Sequence, residues 1–156
     1  SINPNLALSS NKNKSTIASI DGRLVNLGIT NISFSPNLVA ANALVYQPNN
    51  NFQMSLLSKY VGEQFMGNTD SNASKLDSYF VNDFNLTYEI KPKSVFESII
   101  LSGLVNNIFG EKYVSNGYYY TYDDTWTVPN QTTSIEGAGF YPQATTNFLL
   151  GASLRF

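Results

Sequence analysis

Four segments of the chain alternate apolar and polar residues with a period of two, and this alternation constrains the fold more than any other feature. The segments begin at Leu38, Phe52, Phe80 and Phe148. In the third segment the even positions are mostly apolar as far as Ile90, whereas the odd positions include Asp83 and Glu89. Successive side chains of a strand point to opposite faces, so each segment predicts an antiparallel strand with one apolar and one polar face. No segment keeps the 3.6-residue apolar period of a helix, and the predicted fold class is all-β.

Aromatic residues recur on the apolar face of these segments. They are Tyr46, Phe52, Tyr60, Phe80, Tyr88, Phe148 and Phe156. Six of them form three pairs separated by eight residues, such as Phe80 and Tyr88. Eight residues of a strand tilted by about 40° rise by about 21 Å, close to the apolar band of about 25 Å that lies between the two aromatic girdles of a transmembrane barrel. The spacing therefore predicts membrane-spanning strands, with these seven residues in the girdles.

Short and long connections alternate along the chain. Strands are predicted over residues 3–10, 32–47, 52–66, 79–90, 99–109 and 147–156. The short connections are residues 47–51 and 91–98, and the long ones are residues 11–31, 67–78 and 110–146. This alternation is typical of up-and-down outer-membrane barrels, which have short periplasmic turns and long extracellular loops. Six strands are fewer than the about eight of the smallest bacterial barrels, so we expect a segment of a larger barrel.

The composition limits the chemistry that the chain can perform. It has 9 basic and 11 acidic residues, a net charge of -2, and neither histidine nor cysteine. A disulfide framework, a zinc site made of cysteine or histidine, a catalytic thiol and a histidine base are therefore excluded, and we expect no enzyme activity and no cofactor. The small net charge argues against nucleic acid as a partner. The chain opens at Ser1 without a signal-peptide pattern, so we expect a mature chain or a piece of a longer protein.

Three segments resemble strands of a known family. They are residues 57–65 (LSKYVGEQF), 76–84 (LDSYFVNDF) and 105–113 (VNNIFGEKY), and residues 139–143 (GFYPQ) precede the last strand. Together they are similar to the C-terminal strands of TonB-dependent outer-membrane receptors of the Bacteroidetes type. In the last strand Gly151, Leu154 and Phe156 resemble the signal read by the barrel-assembly machinery, although Leu149 stands where that signal has a polar residue. The resemblance covers nearly the whole chain and is weakest in the first 30 residues.

This resemblance implies a molecular context. Receptors of the family have a 22-stranded barrel filled by an N-terminal plug. Residues 1–156 would be the C-terminal part of that barrel, and nothing in them resembles the plug or the TonB box. The implied partners are the remaining barrel strands and the plug, outer-membrane lipid, the TonB complex and a small-molecule nutrient such as an iron chelate or cobalamin. The implied function is nutrient uptake across the bacterial outer membrane.

The long connection at residues 110–146 holds the candidate ligand contacts. They are Tyr118, Tyr119, Tyr120, Tyr122, Asp123 and Trp126. Aromatic rings stack on sugars, chelates or macrocycles, and a carboxylate sets the polarity of such a site. The alternative is that these side chains pack within the loop and cap the outer girdle. Residues 68–72 place oxygen ligands at alternate positions, but Ala73 and Tyr79 replace the glycine and glutamate of a calcium loop, so no metal is expected.

A second hypothesis is a self-contained carbohydrate-binding module, either a soluble β-sandwich or a small barrel. The outer positions of a sandwich are usually charged. The outer positions of this chain are mainly phenylalanine, leucine and tyrosine. A small barrel needs two more strands from the first 30 residues, and residues 15–30 alternate only weakly. The two hypotheses differ in whether the protein stays soluble without detergent.

Overall fold

The computed structural model describes residues 1–92 and 95–156, which are built almost entirely from β-strands. The strands are β1 (Ile2–Leu8), β2 (Lys12–Ile20), β3 (Arg23–Asn31), β4 (Leu38–Asn49), β5 (Phe52–Val61), β6 (Gln64–Phe65), β7 (Lys75–Leu76), β8 (Tyr79–Ile90), β9 (Ser98–Asn106), β10 (Val114–Asp124), β11 (Thr133–Pro142) and β12 (Asn147–Arg155). A 3-10 turn, Asn72–Ser74, is the one helical element among the described residues. Over the same two ranges, no helix has the length and apolar character needed to cross a membrane.

Six of the strands form one antiparallel sheet in the order β1-β4-β5-β8-β9-β12. The sheet is open, because within it β1 pairs only with β4 and β12 only with β9. These are the six strands that the sequence predicts, including the strand at the start of the chain. The prediction of an all-β, antiparallel fold is confirmed.

Several predicted strand bounds are wrong at the end of the sheet where the long connections emerge. β4 begins at Leu38 instead of residue 32, β5 ends at Val61 instead of residue 66, and β9 ends at Asn106 instead of residue 109. Residues with left-handed backbone lie close to two of these points, before β4 and after β9. Phe34 has a φ of 51°, and its N–H bonds to the Phe65 carbonyl at 2.8 Å. Asn107, directly after β9, has a φ of 50°.

The long connections contain paired strands, which the sequence did not predict. β2 pairs with β3, β6 with β7 and β10 with β11, each antiparallel. Asp21 and Gly22 turn the first hairpin with φ values of 51° and 73°, which suits the two-residue turns that Asp-Gly favours. The β2–β3 register shifts near Gly28, which also has a positive φ. This irregularity explains why residues 15–30 show so little alternation.

The short connections agree with the prediction where the structure describes them. β4 and β5 are joined through a turn at residues 50–51, and Asn49 faces Phe52 across it. Residues 93 and 94 of the second predicted turn, Lys93 and Ser94, lie outside the described residues. On either side of them the β8–β9 ladder pairs Ile90 with Ile99.

The buried apolar side chains lie near the end of the sheet from which the long connections emerge. They are Val61, Met66, Leu76 and Val81. Leu76, the most deeply buried of them, lies in β7, which follows β5 and precedes β8 along the chain. The rest of the sheet has no second layer over it within the described part of the chain, and many large apolar side chains are exposed. Both faces of most of the sheet are therefore uncovered.

Candidate functional site

The register of the sheet separates a mainly apolar face from a mixed face that carries the charged residues. One row of directly paired residues crosses all six strands and is entirely apolar: Ile2, Leu44, Leu56, Phe84, Val105 and Phe148. The adjacent row on the other face is mixed. It contains the paired Ser55 and Asn85 together with Val45, Leu104 and Leu149. Alternation within each strand and pairing between strands place most apolar positions on one face. A polar row of Asn42, Ser58 and Asn82 interrupts this face across β4, β5 and β8. Its edge is strongly exposed, with Leu150 81% accessible.

All seven predicted girdle residues belong to the apolar face or to its continuation. Tyr60 pairs with Phe80 at one end of the sheet, and Phe52 pairs with Tyr88 at the other. The Phe52 and Tyr88 rings meet edge to face at 6.3 Å. The remaining girdle residues are Tyr46, Phe148 and Phe156. Phe156 follows the last residue of β12, and its ring lies 5.0 Å from that of Phe96.

The opposite face carries the charged side chains of the sheet. Strands β5, β8 and β12 contribute Lys59, Asp83, Asn85, Glu89 and Arg155. Small residues fill much of the space between them. Gly151 faces Ser102, and a Cβ at this glycine would come within 2.6 Å of the serine hydroxyl oxygen. Of the three residues predicted as an assembly signal, Gly151 therefore faces away from the apolar face to which Leu154 belongs.

Asn107 organises the junction between the sheet and the last hairpin. Its Oδ1 accepts a hydrogen bond from the Glu111 N–H at 2.9 Å, and its Nδ2 donates to the Glu111 carbonyl at 2.8 Å. Its backbone N–H donates to Asp83 Oδ1 at 2.8 Å, and its carbonyl accepts from the Thr146 hydroxyl at 2.8 Å. Asn107 is 4% exposed. The VNNIFGEKY segment therefore has a structural role. The backbone of Asn107 connects the end of β9 to β8 and to Thr146 before β12, and its side chain fixes Glu111 ahead of the hairpin.

The β10–β11 hairpin holds the candidate ligand contacts and divides them between its two faces. Tyr118, Tyr120, Tyr122 and Trp126 form a strip of side-by-side rings, which we call the tyrosine strip. Successive centroids are 6.3, 6.3 and 5.9 Å apart, and the planes of successive rings differ by 16°, 14° and 3°. The tyrosines are alternate residues of one strand, so they share a face. All four side chains are substantially exposed.

Two glycines of β11 lie beneath this strip. Tyr118 pairs with Gly139 and Tyr120 pairs with Gly137. A Cβ at either glycine would collide with the outer atoms of the facing tyrosine ring. The rings therefore lie across β11 instead of projecting away from the hairpin, an arrangement that only glycine permits at these positions.

Tyr119 and Asp123, also predicted as ligand contacts, lie on the other face of the hairpin. The Tyr119 hydroxyl donates to Glu136 Oε1 at 2.7 Å, and Ser71 donates to Oε2 of the same carboxylate at 2.8 Å. Asp123 accepts hydrogen bonds from the hydroxyls of Ser134 and Ser19, each at 2.6 Å, and these bonds hold its pKa below 3.8. These side chains pack the hairpin against its neighbours. The six predicted residues thus do not form one cluster.

The packed face borders an open cleft lined by both polar and apolar residues. About 400 Å³ in volume, it lies between the β2–β3 hairpin, residues 69–71 and the β10–β11 hairpin. Across it Asp21 and Ser134 exchange two hydrogen bonds of 2.8 Å. Glu136 and Tyr119 also line it. Because their polar groups already bond to each other, the cleft is a joint between hairpins.

The carboxylate and amide groups of residues 68–72 bind the chain itself. Asp70 Oδ1 accepts hydrogen bonds from the backbone and side-chain N–H groups of Asn31, at 2.9 and 3.1 Å. Asn68 Oδ1 accepts from the Ser33 N–H at 2.8 Å. Across residues 1–92 and 95–156, no group of three potential metal ligands is brought together.

Sequence reasoning missed several residues that shape the hairpin. Gly137 and Gly139 seat the rings, Tyr141 approaches Tyr118 at 6.1 Å, and Glu136 anchors the packed face. Two glycines at alternate positions, following tyrosines at alternate positions, were a usable signal for a paired strand.

Searches for relatives give no further identification, since no protein-family model, curated protein or solved structure matches the chain significantly.

Proposed function

We propose that this chain forms the C-terminal strands and extracellular loops of a TonB-dependent transporter in a bacterial outer membrane. The six-stranded sheet would be barrel wall, with its apolar face toward lipid and its mixed face toward the lumen and plug. By the resemblance of residues 57–65, 76–84 and 105–113, the complete receptor would take up a small-molecule nutrient with energy supplied through the TonB complex. The chain itself performs no chemistry in this proposal.

The observation that carries the proposal is the stagger of the aromatic residues across the sheet. We call the end of the sheet that holds Phe52 and Tyr88 its lower end. Tyr88 is in register with Ala152, so Phe156 lies four residues below Tyr88. At the other end Phe148 is in register with Phe84 and so lies four residues below Phe80. The two aromatic rows are thus displaced equally between β12 and β8, and remain eight residues apart.

The stagger supports tilted strands between two parallel interfaces. Phe52 is level with Tyr88, and Tyr46 lies two residues higher because it pairs with Met54. From Phe156 to Tyr46 the lower row therefore rises by six residues over four strand-to-strand steps. Six residues correspond to about 20 Å along the strands and four steps to about 19 Å across them, which gives a tilt of about 45°. Transmembrane β-strands are tilted by about 35–45°.

The open edges and the exposed face support a context of further strands and lipid. A soluble sheet that left Phe148, Leu150 and Phe156 71–81% exposed would be an aggregation hazard. In a larger barrel β1 and β12 would each gain a neighbour, and the apolar surface would contact acyl chains. The carbohydrate-binding module considered above has no second sheet within the described residues to cover this face.

Cysteine scanning tests the proposal directly, because the chain has no native cysteine. Leu86→Cys and Leu150→Cys place a spin label on the apolar face, and Thr87→Cys and Ser153→Cys place it on the other. In reconstituted membranes we expect the first pair to be relaxed by oxygen, which dissolves in lipid, and the second pair by a water-soluble nickel chelate. Equal access of the nickel chelate to both faces would reject the membrane assignment.

A further inference from the structure

We propose that the tyrosine strip binds an extended, uncharged glycan. The proposal concerns the outer face of the β10–β11 hairpin and does not depend on whether the sheet belongs to a transporter. Its starting point is that this face is the unpacked side of an otherwise packed hairpin. Tyr119, Asp123 and Glu136 on the opposite face all bond within or between the hairpins.

The shape of the strip suits a linear ligand. Its four rings follow one another at nearly constant spacing along β10 and just beyond it, and the three centroid distances place the outermost rings at most about 18.5 Å apart. Their planes are nearly parallel between neighbours, and no side chain rises between the first two tyrosines because Gly137 and Gly139 lie beneath them. A chain of linked pyranose rings presents apolar C–H faces in such a succession, and these faces pack on aromatic rings.

The polarity of the strip selects an uncharged, hydroxylated partner. On this face β10 and β11 contribute tyrosines, Ile135, glycines and Thr133. Asp124 is the charged residue of the face, and its Oδ1 already accepts hydrogen bonds from the N–H groups of Trp126 and Thr127 at 3.0 and 3.1 Å. No lysine or arginine is present in β10 or β11 to attract an acidic polymer. Charge complementarity therefore favours a neutral ligand.

The phenol groups supply the polar half of the recognition. Within the described part of the chain, the hydroxyls of Tyr118, Tyr120 and Tyr122 make no side-chain hydrogen bond, in contrast to the Tyr119 hydroxyl. Each can donate one hydrogen bond and accept others. Because the rings follow one another at 6.3 Å, these hydroxyls can bond to sugar hydroxyls along a chain whose C–H faces contact the rings. This combination separates a glycan from a purely apolar partner, which would leave these hydroxyls without bonding partners.

Affinity electrophoresis of the folded, detergent-solubilised protein tests the proposal. The gels contain hydroxyethyl cellulose, soluble starch or galactomannan, and a parallel gel contains polygalacturonate as an anionic control. We expect at least one neutral polymer to retard the protein and polygalacturonate not to do so. The matching soluble oligosaccharide should change the emission of Trp126, the single tryptophan of the chain, at one end of the strip.

Matched variants identify the surface. Tyr120→Ala should weaken retardation about 2- to 10-fold, the range expected for losing one aromatic contact. Tyr120→Phe keeps the ring and loses one hydroxyl, so it should weaken retardation by less than Tyr120→Ala. Tyr88→Ala, in the sheet, serves as the control and should bind normally. Retardation by no neutral polymer would overturn the proposal, as would unchanged binding by a folded Tyr118→Ala/Tyr120→Ala/Tyr122→Ala variant. Circular dichroism establishes that each variant is folded.

Discussion

A positive charge placed at the centre of the apolar face gives the sharpest test of its environment. Ala152 lies on that face, four residues from Phe148 and four from Phe156. At a strand tilt of about 45°, four residues correspond to a depth of about 10 Å from either aromatic row. Ala152 is exposed and small, so replacing it with arginine removes almost no packing. The change therefore reports mainly on what surrounds the face.

We expect Ala152→Arg to lower the free energy of unfolding by about 2–4 kcal/mol in a bilayer, the cost of an arginine near the midplane of a barrel. This corresponds to a decrease of roughly 30- to 900-fold in the ratio of folded to unfolded protein. Ser153→Arg, one residue further along on the other face, is the matched control and should stay within about 0.5 kcal/mol of the original protein.

The measurement is urea unfolding of the protein reconstituted in phosphatidylcholine vesicles, followed by far-ultraviolet circular dichroism. Linear extrapolation gives the free energy for each variant, and equal slopes show that the variants expose similar surface on unfolding. A change below about 0.5 kcal/mol for Ala152→Arg would refute the reasoning, because an exposed position in water tolerates arginine at about that cost.

Three further predictions concern the hairpin and its junction with the sheet. Asn107→Ala should lower the free energy of unfolding by about 1–3 kcal/mol. Asn107→Gly should lower it by less, because glycine accepts the positive φ of this position, and urea titration measures the free energy of both variants. Gly139→Ala should displace the Tyr118 ring and alter the near-ultraviolet circular dichroism, whereas Gly103→Ala, where a Cβ meets nothing closer than 3.6 Å, should not. Hydrogen bonds from the Thr127 side chain and then the Trp126 N–H lower the pKa of Asp124 below 3.8. The ionised Asp124 carboxylate therefore stabilises the turn above pH 3.8, and this stabilisation is lost as the pH falls through the lowered pKa. Tryptophan emission should follow this transition, and Asp124→Asn should abolish it.

The sheet could be predicted from the sequence because its signals are local. Alternation fixes which residues share a face, and the eight-residue spacing of Phe80 and Tyr88 survives in the structure as two parallel rows. The hairpins were missed for equally local reasons. Asp21-Gly22 is a strong turn signal, but the bulge near Gly28 breaks the alternation around it. In β10 the alternate tyrosines are obscured because Tyr119, between them, is also aromatic.

Which face of the hairpin is packed could not be predicted, because packing depends on contacts between distant segments. Ser19 and Asp123 are 104 residues apart in sequence, and Asp21 and Ser134 are 113 apart. Nothing in residues 118–126 alone indicates that Asp123 faces another hairpin while Tyr122 faces away from it. Once β10 is known to be a strand, however, alternation alone assigns Tyr119 and Asp123 to one face and the tyrosine strip to the other.

The structure therefore combines two parts that are held together with different stability, the sheet and the hairpins. The sheet is held by continuous ladders between neighbouring strands, whereas the hairpins meet through a few exposed hydrogen bonds such as those of Ser19 and Asp21. Exposed polar contacts exchange readily with water, so the hairpins can separate while the sheet keeps its register. Asn107 marks the boundary, because its buried bonds fix the hairpin base to β8 and β9. We therefore expect the β10–β11 hairpin, which follows Asn107, to move relative to the sheet. The tyrosine strip would move together with this hairpin.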